Sequence, residues 1–205
     1  MATETKKGRL IVVSGSSGSG KGTVLGELLK LSERFCYSVS ATTRAPREGE
    51  QDGVNYFFVD RERFLRMVEN NQMLEHAEYC GNLYGTPKEF VCSKLEEGIN
   101  VLLEIEVQGA MQIKEKFPES VLIFITPPDF HSLRKRLYER ATESSEVIRK
   151  RLETALTEIK AAVNYDYIIL NRDNKAHEAA RDILAISEGE YKSGIDAEVF
   201  IKNFI

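Results

Sequence analysis

A glycine-rich loop between a buried strand and a helix is the feature that most constrains the fold. Residues 15–23 read GSSGSGKGT and contain the pattern G-x-x-x-x-G-K. The apolar run from Arg9 to Ser14 precedes the loop, and apolar residues recur at helical spacing from Thr23 to Arg34. Strand, loop and helix in this order are typical of a phosphate site, because curled backbone N–H groups and the helix dipole attract the anion. The alternative is a flexible Gly/Ser turn.

One position of the loop departs from the strict pattern. Lys21 is placed to reach the outer phosphates of a nucleotide, but Gly22 stands where a Ser or Thr would bind magnesium. The hydroxyl comes one residue later, at Thr23. We therefore expect Mg²⁺ to be held mainly by nucleotide phosphates and waters, which this ion tolerates well.

Short apolar runs alternate with helical patterns along most of the chain. Further buried strands are predicted at Val101–Ile105, Val121–Thr126 and Tyr167–Leu170. Helices are predicted at Pro87–Glu97, Asp129–Arg140, Ser145–Val163 and Lys175–Ser187. Strands separated by helices indicate an α/β fold with a parallel sheet flanked by helices.

Residues 37–86 break this alternation. They read as short strands (SVSATTR, NYFFVD and MLEHAEY) with a helix at Arg61–Asn70, which predicts a small inserted lobe of mixed α+β structure. Within it, Arg44 and Arg47 flank Pro46 and could grip a second phosphate, although such a loop is more often a solvated surface. The polar stretch 140–145 is interpreted as a mobile flap, and the tail 189–205 has no assigned role.

Composition excludes several classes of protein. The chain has 205 residues, which suits one domain, and its net charge of −4 argues against a general nucleic-acid binder. No apolar run is long enough for a membrane span or a signal peptide. Three cysteines without C-x-x-C spacing and three scattered histidines argue against a zinc site or a disulfide framework. We expect a cytoplasmic protein that contacts neither nucleic acid nor a membrane; a monomer and a homo-oligomer are both compatible with the sequence.

The order of several stretches resembles the guanylate kinases, a family of P-loop nucleoside monophosphate kinases. The stretches are SGSSGSGKGT, SVSATTRAPREGEQDGVNYFFV, LEHAEYCGNLYGTP, LEIEVQGA, IFITPP, RLYERATESS and YDYIILN. The resemblance runs from Leu10 to about Ile186. It implies transfer of the γ-phosphoryl group of ATP to GMP, and to dGMP, in purine nucleotide metabolism and GMP recycling. It also implies one domain over residues 1–205, with a core (1–36, 87–128 and 151–205), a GMP-binding lobe (37–86) and a helical lid (129–150).

The resemblance assigns roles residue by residue. The GMP site would comprise Ser40, Arg44, Arg47, Tyr56, Glu75, Tyr84, Thr86 and Glu104, with Glu75 and Thr86 on the guanine edge. ATP would be bound by Gly15, Ser16, Ser17, Gly18, Ser19, Gly20, Lys21, Gly22, Thr23 and Asn171. The cations expected to act in catalysis are Lys21, Arg44, Arg136, Arg140 and Arg151. Glu104 and Glu106 would accept hydrogen bonds from waters on Mg²⁺.

Each role has a simpler alternative. Thr86 before Pro87 could be only the N-cap of a helix, and Glu75 could be a solvated carboxylate. Tyr56 and Tyr84 could be packing residues, and Arg136 and Arg140, four apart, could share a solvated helix face. The resemblance favours the functional interpretation for all of them.

Four positions depart from the usual family pattern: Ser16, Glu106, Ala141 and Arg172. Ser16 leaves the backbone amides free, whereas the extra methylene of Glu106 could move its contact to a metal-bound water. Ala141 could stiffen the flap. Arg172 has no explanation from the sequence.

The chemistry implied needs charge and positioning rather than a general base. A phosphate monoester is already mostly ionised at neutral pH, so GMP is a ready nucleophile. Cations must instead offset the repulsion between two anions and stabilise the transferred group. A lid closing over both substrates would exclude water, so we expect the lobe and the flap to move as hinged bodies.

Two other functions are compatible with parts of this pattern. A guanylate-kinase-like scaffold module would bind phosphopeptides, but such modules typically lack a working phosphate loop, and this chain has G-x4-G-K. A kinase for another nucleoside monophosphate would lack the pair Glu75 and Thr86, which suits guanine.

Overall fold

Two structural units make up the chain. The structure is a computed structural model that describes residues 7–139, 145–191 and 194–204. The first unit comprises the N-terminal segment to Ile11 together with Arg34–Ser120, and the second comprises Val12–Glu33 with Val121–Ile205. The strand that precedes the phosphate loop begins in the first unit and ends in the second.

Strands and helices alternate through most of the described residues. In chain order they are β1 (Leu10–Gly15), α1 (Lys21–Leu31), β2 (Phe35–Tyr37), β3 (Ala41–Thr42), β4 (Phe57–Phe58), α2 (Arg61–Glu69), β5 (Met73–Tyr79), β6 (Asn82–Pro87), α3 (Lys88–Glu96), β7 (Asn100–Glu104), α4 (Val107–Lys116), β8 (Val121–Thr126), α5 (Phe130–Glu139), α6 (Ser145–Lys160), β9 (Tyr167–Leu170), α7 (Ala176–Glu188) and α8 (Ala197–Asn203). A single 3-10 turn, Ala161–Asn164, follows α6.

The first unit contains a parallel strand pair and a separate four-stranded sheet. Strands β2 and β7 are parallel, with Phe35 opposite Asn100. The four-stranded sheet has the order β4-β3-β6-β5, so β5 is an edge strand. Its small core joins Ala41, Phe64, Met73 and Leu83, which bury α2 against one face of the sheet. Removing apolar area of this kind from water stabilises a fold by roughly 25 cal/mol per Å².

The second unit contains the end of β1 with strands β8 and β9. Strands β8 and β9 are parallel, with Ile123 opposite Tyr167 and Ile125 opposite Ile169. Every residue of β1 is buried, as expected of a central parallel strand. Helix α1 packs against α7, burying Val24 and Leu28 on one side and Ile183 on the other. This packing fixes the first turn of α1, where the phosphate loop ends.

The predicted α/β class with a parallel sheet flanked by helices is confirmed. Strands β8 and β9 have the predicted bounds, and the helix predicted at Thr23–Arg34 begins at Lys21 and ends at Leu31. The helix predicted over Ser145–Val163 ends at Lys160, because the chain tightens into the 3-10 turn. The domain boundaries of core, lobe and lid stay predictions.

The sequence interpretation missed several elements, and one of its alternatives was wrong. Helix α4 and strands β2 and β6 were not predicted, and the tail forms helix α8. The N-cap of α3 is Pro87, so Thr86 does not cap that helix and lies in β6 instead. The flap prediction, including Ala141, falls on residues 140–144, which lie outside the described residues.

Candidate functional site

The phosphate loop has the backbone form that its glycines predict. Gly18 and Gly20 have φ values of 84° and 80°, a region that side chains disfavour. A Cβ on Gly20 would lie 2.6 Å from Asn171 Nδ2, so only glycine fits there. Gly20 is also the N-cap position of α1, and no side chain caps that end. The free N–H groups of the helix start are thus available to an anion.

Two serine hydroxyls of the loop are buried, which is unusual for a flexible turn at the protein surface. Ser16 and Ser19 are both fully buried, and within the described part of the chain neither Oγ has a hydrogen-bond partner. Leaving a buried hydroxyl unpaired costs roughly 1–3 kcal/mol, so such atoms mark a place where a partner belongs. A bound phosphate would supply acceptor oxygens. The simple Gly/Ser turn does not explain these buried hydroxyls.

Lys21 and Asn171 are both tied to the loop backbone. Lys21 Nζ donates to the Gly15 carbonyl at 2.7 Å, which holds the ammonium inside the curl of the loop. Asn171 is buried, and its Nδ2 donates to the Ser19 carbonyl at 2.8 Å. Asn171 therefore supports the loop from the end of β9, a role that its predicted position near adenine did not include.

Arg136 extends the same network. Its Nη2 donates to the Asn171 carbonyl and to Asp173 Oδ1, both at 2.7 Å, and its Nε donates to Asp173 Oδ1 at 3.0 Å. The Arg136 guanidinium is the main reason that the pKa of Asp173 lies below its usual range. These residues border a cavity of about 530 Å³. Its lining comprises Gly18, Gly20, Thr23, Lys135, Arg136, Asn171, Arg172, Asp173, Asn174 and Ala176.

Arg151 also reaches the phosphate loop. Its Nη2 donates to Ser17 Oγ at 2.8 Å and its Nε donates to the same atom at 3.2 Å. The Ser17 backbone N–H donates to Glu158 Oε2 at 3.1 Å, so an acidic side chain of α6 also holds the loop. Glu158 and Asp173 were not predicted from the sequence, because each meets the loop region from a distant part of the chain. Arg140 lies outside the described residues.

A second cavity, of about 210 Å³, lies within the first unit. Six of the predicted residues border it: Ser40, Tyr56, Glu75, Tyr84, Glu104 and Glu106. The rest of its lining is Ala77, Tyr79, Gly85, Ile105 and Gly109. Arg44, Arg47 and Thr86 are not among the lining residues. A larger groove of about 750 Å³ between α2 and α3 includes none of the predicted nucleotide residues.

Glu75 is the buried carboxylate of this cavity, with only 4% of the residue exposed. Its Oε1 accepts a hydrogen bond from Thr86 Oγ1 at 2.7 Å. Burial raises the pKa of Glu75 above its usual value, and the Thr86 hydroxyl and the Lys116 charge only partly oppose that shift. The solvated-carboxylate alternative is therefore wrong. An ionised carboxylate kept this dry gains much from paired donors on a ligand.

Gly109 allows a helix to approach this carboxylate. A Cβ built on Gly109 would lie 2.6 Å from Glu75 Oε2 and 3.1 Å from its Cδ. Glycine is thus required at position 109 because a Cβ atom would clash with Glu75, and not because of the backbone conformation. Helix α4, which sequence analysis missed, therefore contacts the residue predicted to recognise the base.

Arg44 is held ready for an anion by Glu50. Arg44 Nη2 donates to both carboxylate oxygens of Glu50, at 2.8 and 2.9 Å, and Nη1 donates to the Ala45 carbonyl at 2.7 Å. The backbone N–H of Arg47 donates to Glu50 Oε2 at 2.7 Å. Glu50 therefore ties together the turn that carries both arginines. The spacing Arg-x-x-Arg-x-x-Glu could have indicated this turn from the sequence.

Two tyrosines connect Arg44 with the cavity. The guanidinium carbon of Arg44 lies 5.5 Å from the ring centre of Tyr56, within cation–π range. The rings of Tyr56 and Tyr84 meet edge to face, with centres 6.1 Å apart. Arg44, Tyr56 and Tyr84 are therefore brought together, whereas the Arg47 side chain is exposed and unattached to them.

Oxygen donors for a metal are present but sparse. Glu104 ends β7, and Glu106 is the N-cap residue of α4; both border the smaller cavity. Among the described residues no cluster of three or more His, Cys, Asp or Glu side chains could hold an ion unaided. Carboxylate oxygens with water and phosphate fit Mg²⁺, which keeps several waters in most protein sites. The donor set is therefore compatible with a metal that arrives with a nucleotide.

No helix within the described ranges is both long and apolar enough to cross a membrane. The cavity of about 530 Å³ beside the phosphate loop lies entirely in the second unit, and the cavity of about 210 Å³ beside Glu75 lies entirely in the first.

Comparison with known proteins identifies the family. The family model described as guanylate kinase matches residues 7–186. A guanylate kinase of Listeria innocua is 51% identical over 91% of this chain and 91% of its own length. One from Desulfitobacterium hafniense is 52% identical over 82% of this chain and 84% of its own. The crystal structure of guanylate kinase from Anaplasma phagocytophilum, 37% identical, covers 93% of this chain and 89% of its own with a TM-score of 0.72. The chain therefore belongs to the guanylate kinase family.

Proposed function

We propose that this chain transfers the γ-phosphoryl group of ATP to GMP, and also to dGMP, giving ADP and the corresponding diphosphate. It would do so in the cytoplasm, as a step of GMP recycling. The observation that carries the proposal is the buried pair of Glu75 and Thr86, a desolvated carboxylate and a hydroxyl at 2.7 Å, beside a cavity that Glu75 lines. Family membership supports the same activity.

Recognition of guanine follows from the donors on its edge. Guanine presents N1–H and the exocyclic N2 amino group side by side, and a carboxylate accepts both with its two oxygens. Thr86 Oγ1 would turn its proton from Glu75 towards guanine O6. Adenine has no such donor pair on this edge, so AMP would leave the Glu75 carboxylate desolvated and unpaired. Sites built in this way reject the wrong ligand by roughly 10⁴-fold.

The GMP phosphate would be bound by Arg44, Arg47, Tyr56, Tyr84 and Ser40. Arg44 keeps unused N–H donors while Glu50 fixes its position, so a phosphate would meet a guanidinium that is already oriented. A tyrosine hydroxyl donates to phosphate without adding charge. Arg47 is exposed, and its side chain would turn to the anion when GMP binds.

ATP would be bound by the phosphate loop and by the cavity that adjoins it. The buried hydroxyls of Ser16 and Ser19 and the free N–H groups of α1 would receive phosphate oxygens. Lys21 would exchange its contact with the Gly15 carbonyl for a phosphate oxygen. Arg136, Arg140 and Arg151 would offset the negative charge of the transferred group. Asn171 would act by holding the Ser19 carbonyl.

Mg²⁺ would accompany the nucleotide. When bound, the ion polarises phosphoryl oxygens and neutralises part of their charge. Glu104 and Glu106 would accept hydrogen bonds from its waters, while nucleotide oxygens supply direct ligands.

A coupled assay of ADP release tests the proposal. GMP, dGMP, AMP, UMP and CMP are offered in turn with ATP and Mg²⁺. The proposal predicts rapid ADP release with GMP, slower or equal release with dGMP, and release near background with the other three. Equal turnover of AMP would refute guanine recognition. Phosphopeptide binding without any turnover would identify a scaffold module instead.

A further inference from the structure

Strand β5 carries a bulge at the residue that is proposed to recognise guanine. Between the paired residues Met73 and His76 the strand advances three positions, while its partner β6 advances two, from Pro87 to Gly85. Glu75 lies inside this irregular step. A bulge of this kind redirects a side chain and interrupts the ladder that would otherwise fix its position. The orientation of Glu75 therefore depends on contacts from outside the sheet.

Helix α4 supplies those contacts along one face. Gln112 Oε1 accepts from the His76 backbone N–H at 3.2 Å, and Gln112 Nε2 donates to the His76 carbonyl at 2.8 Å. One turn further on, Lys116 Nζ donates to the Leu74 carbonyl at 2.9 Å. One turn earlier, Gly109 leaves the space that Glu75 Oε2 occupies. Three consecutive residues of β5 are thus in contact with residues spaced three and four apart on α4.

The Gln112 carboxamide takes the place of a neighbouring strand. Because β5 is at the edge of its sheet, outward N–H and C=O groups would otherwise be unpaired. A side-chain amide offers one acceptor and two donors, so it satisfies both groups of His76 at once. Gln112 is half-buried and does not line the cavity.

We propose that Gln112 is a positioning residue for guanine selectivity, which it controls by fixing the backbone next to Glu75. The inference rests on the proposed function. Gln112 would act without contacting the nucleotide. Its two hydrogen bonds fix the backbone of His76, and this restricts the conformation of the bulge. The bulge in turn sets the orientation of the Glu75 carboxylate. Without the two hydrogen bonds to His76, the Glu75 carboxylate can move out of alignment with N1–H and the N2 amino group of guanine.

The test uses the full chain and a pair of substrates that differ at one guanine donor. IMP lacks the exocyclic amino group of GMP, so it can donate one hydrogen bond fewer to Glu75. Binding of IMP therefore depends less on the orientation of the Glu75 carboxylate. Gln112→Met removes both contacts to His76 at similar side-chain length. Glu115→Met places the same side chain on an exposed position of α4 and serves as the matched control.

We expect Gln112→Met to lower kcat/KM for GMP by about tenfold, chiefly through KM, and that for IMP by less than about threefold. The ratio of GMP to IMP efficiency then falls, while the KM for ATP changes by less than about twofold. Glu115→Met leaves the ratio unchanged. An equal loss for both substrates, or an unchanged KM for GMP, would overturn the proposal and leave Gln112 a structural residue.

A second variant keeps the test decisive if the first folds poorly. Gln112→Glu retains an acceptor for the His76 N–H but loses the donor to its carbonyl, so the selectivity ratio should fall between those of the wild type and Gln112→Met. A ratio equal to that of the wild type would contradict the proposal. A wild-type chain that does not phosphorylate GMP would instead refute the proposed function, which distinguishes the two failures.

Discussion

Gly109 offers a steric test of the proposed GMP site. In Gly109→Ala the new Cβ would begin 2.6 Å from Glu75 Oε2 and 3.3 Å from Ile105 Cδ1. An ordinary separation needs roughly 0.5–1 Å more, and the carboxylate is buried, so it must leave its place beside the cavity. Charge-assisted hydrogen bonds to guanine would lengthen beyond their useful range, at a cost of about 1.5–3 kcal/mol.

That cost corresponds to a rise of about 10- to 100-fold in the KM for GMP, with little change in the KM for ATP. The stability of the fold should change less, because overpacking costs roughly 1–3 kcal/mol whereas alanine in a helix recovers up to about 1 kcal/mol. Steady-state kinetics with each nucleotide varied in turn, together with thermal unfolding, measures both effects.

Gly26→Ala is the matched control. Gly26 lies inside α1, and a Cβ there would meet nothing within 4 Å. This variant gains the helix propensity without the clash, so Tm should rise by roughly 2–4 °C while the KM for GMP stays unchanged. Gly109→Ala with an unchanged KM for GMP would refute the close approach of α4 to Glu75.

The remaining predictions concern the charged groups. Lys21→Ala should lower kcat by about a hundredfold or more with an unchanged circular dichroism spectrum, and near-wild-type kcat in the folded variant would contradict the ATP site. Arg44→Lys keeps the charge but loses the planar fork held by Glu50, so kcat/KM for GMP should fall about tenfold; a loss confined to ATP binding would contradict the assignment of this turn. Burial raises the pKa of Glu75, and the proposed recognition of guanine needs its ionised form, so the KM for GMP should rise as the pH is lowered, and a constant KM would contradict its role. By the same raised pKa the folded chain holds this proton more tightly than the unfolded chain, so Glu75→Gln should unfold at a higher temperature than the wild type near pH 8, with the gap closing in acid.

Much of the ATP-binding half could be predicted because its signal is local. The glycine pattern, the apolar strand before it and the helix after it are contiguous in the sequence, and together they predict a phosphate loop. Lys21 and the loop glycines lie where that pattern places them. The partners Glu158 and Asp173 were missed because they meet Ser17 and Arg136 across long stretches of chain, and a single carboxylate carries no distinctive spacing.

The proposed guanine-binding site was harder to predict. Helix α4 has Gly109 near its start, which lowers its helical propensity, although Ala110 and Ile113 are buried at helical spacing. Strand β6 contains Gly85 and Pro87, residues that usually argue against a strand. Its pairing with β5 overrides that local preference and places Thr86 opposite the bulge that carries Glu75.

Phosphorus NMR of the complete reaction tests the central claim most directly. The wild-type chain is mixed with ATP, Mg²⁺ and either GMP or AMP, and the diphosphate resonances are followed over time. We expect GMP to yield ADP and GDP in equal amounts, and AMP to yield no diphosphate above the rate of a chain carrying Lys21→Ala. Release of inorganic phosphate from ATP without GDP, or equal diphosphate formation from AMP, would contradict it.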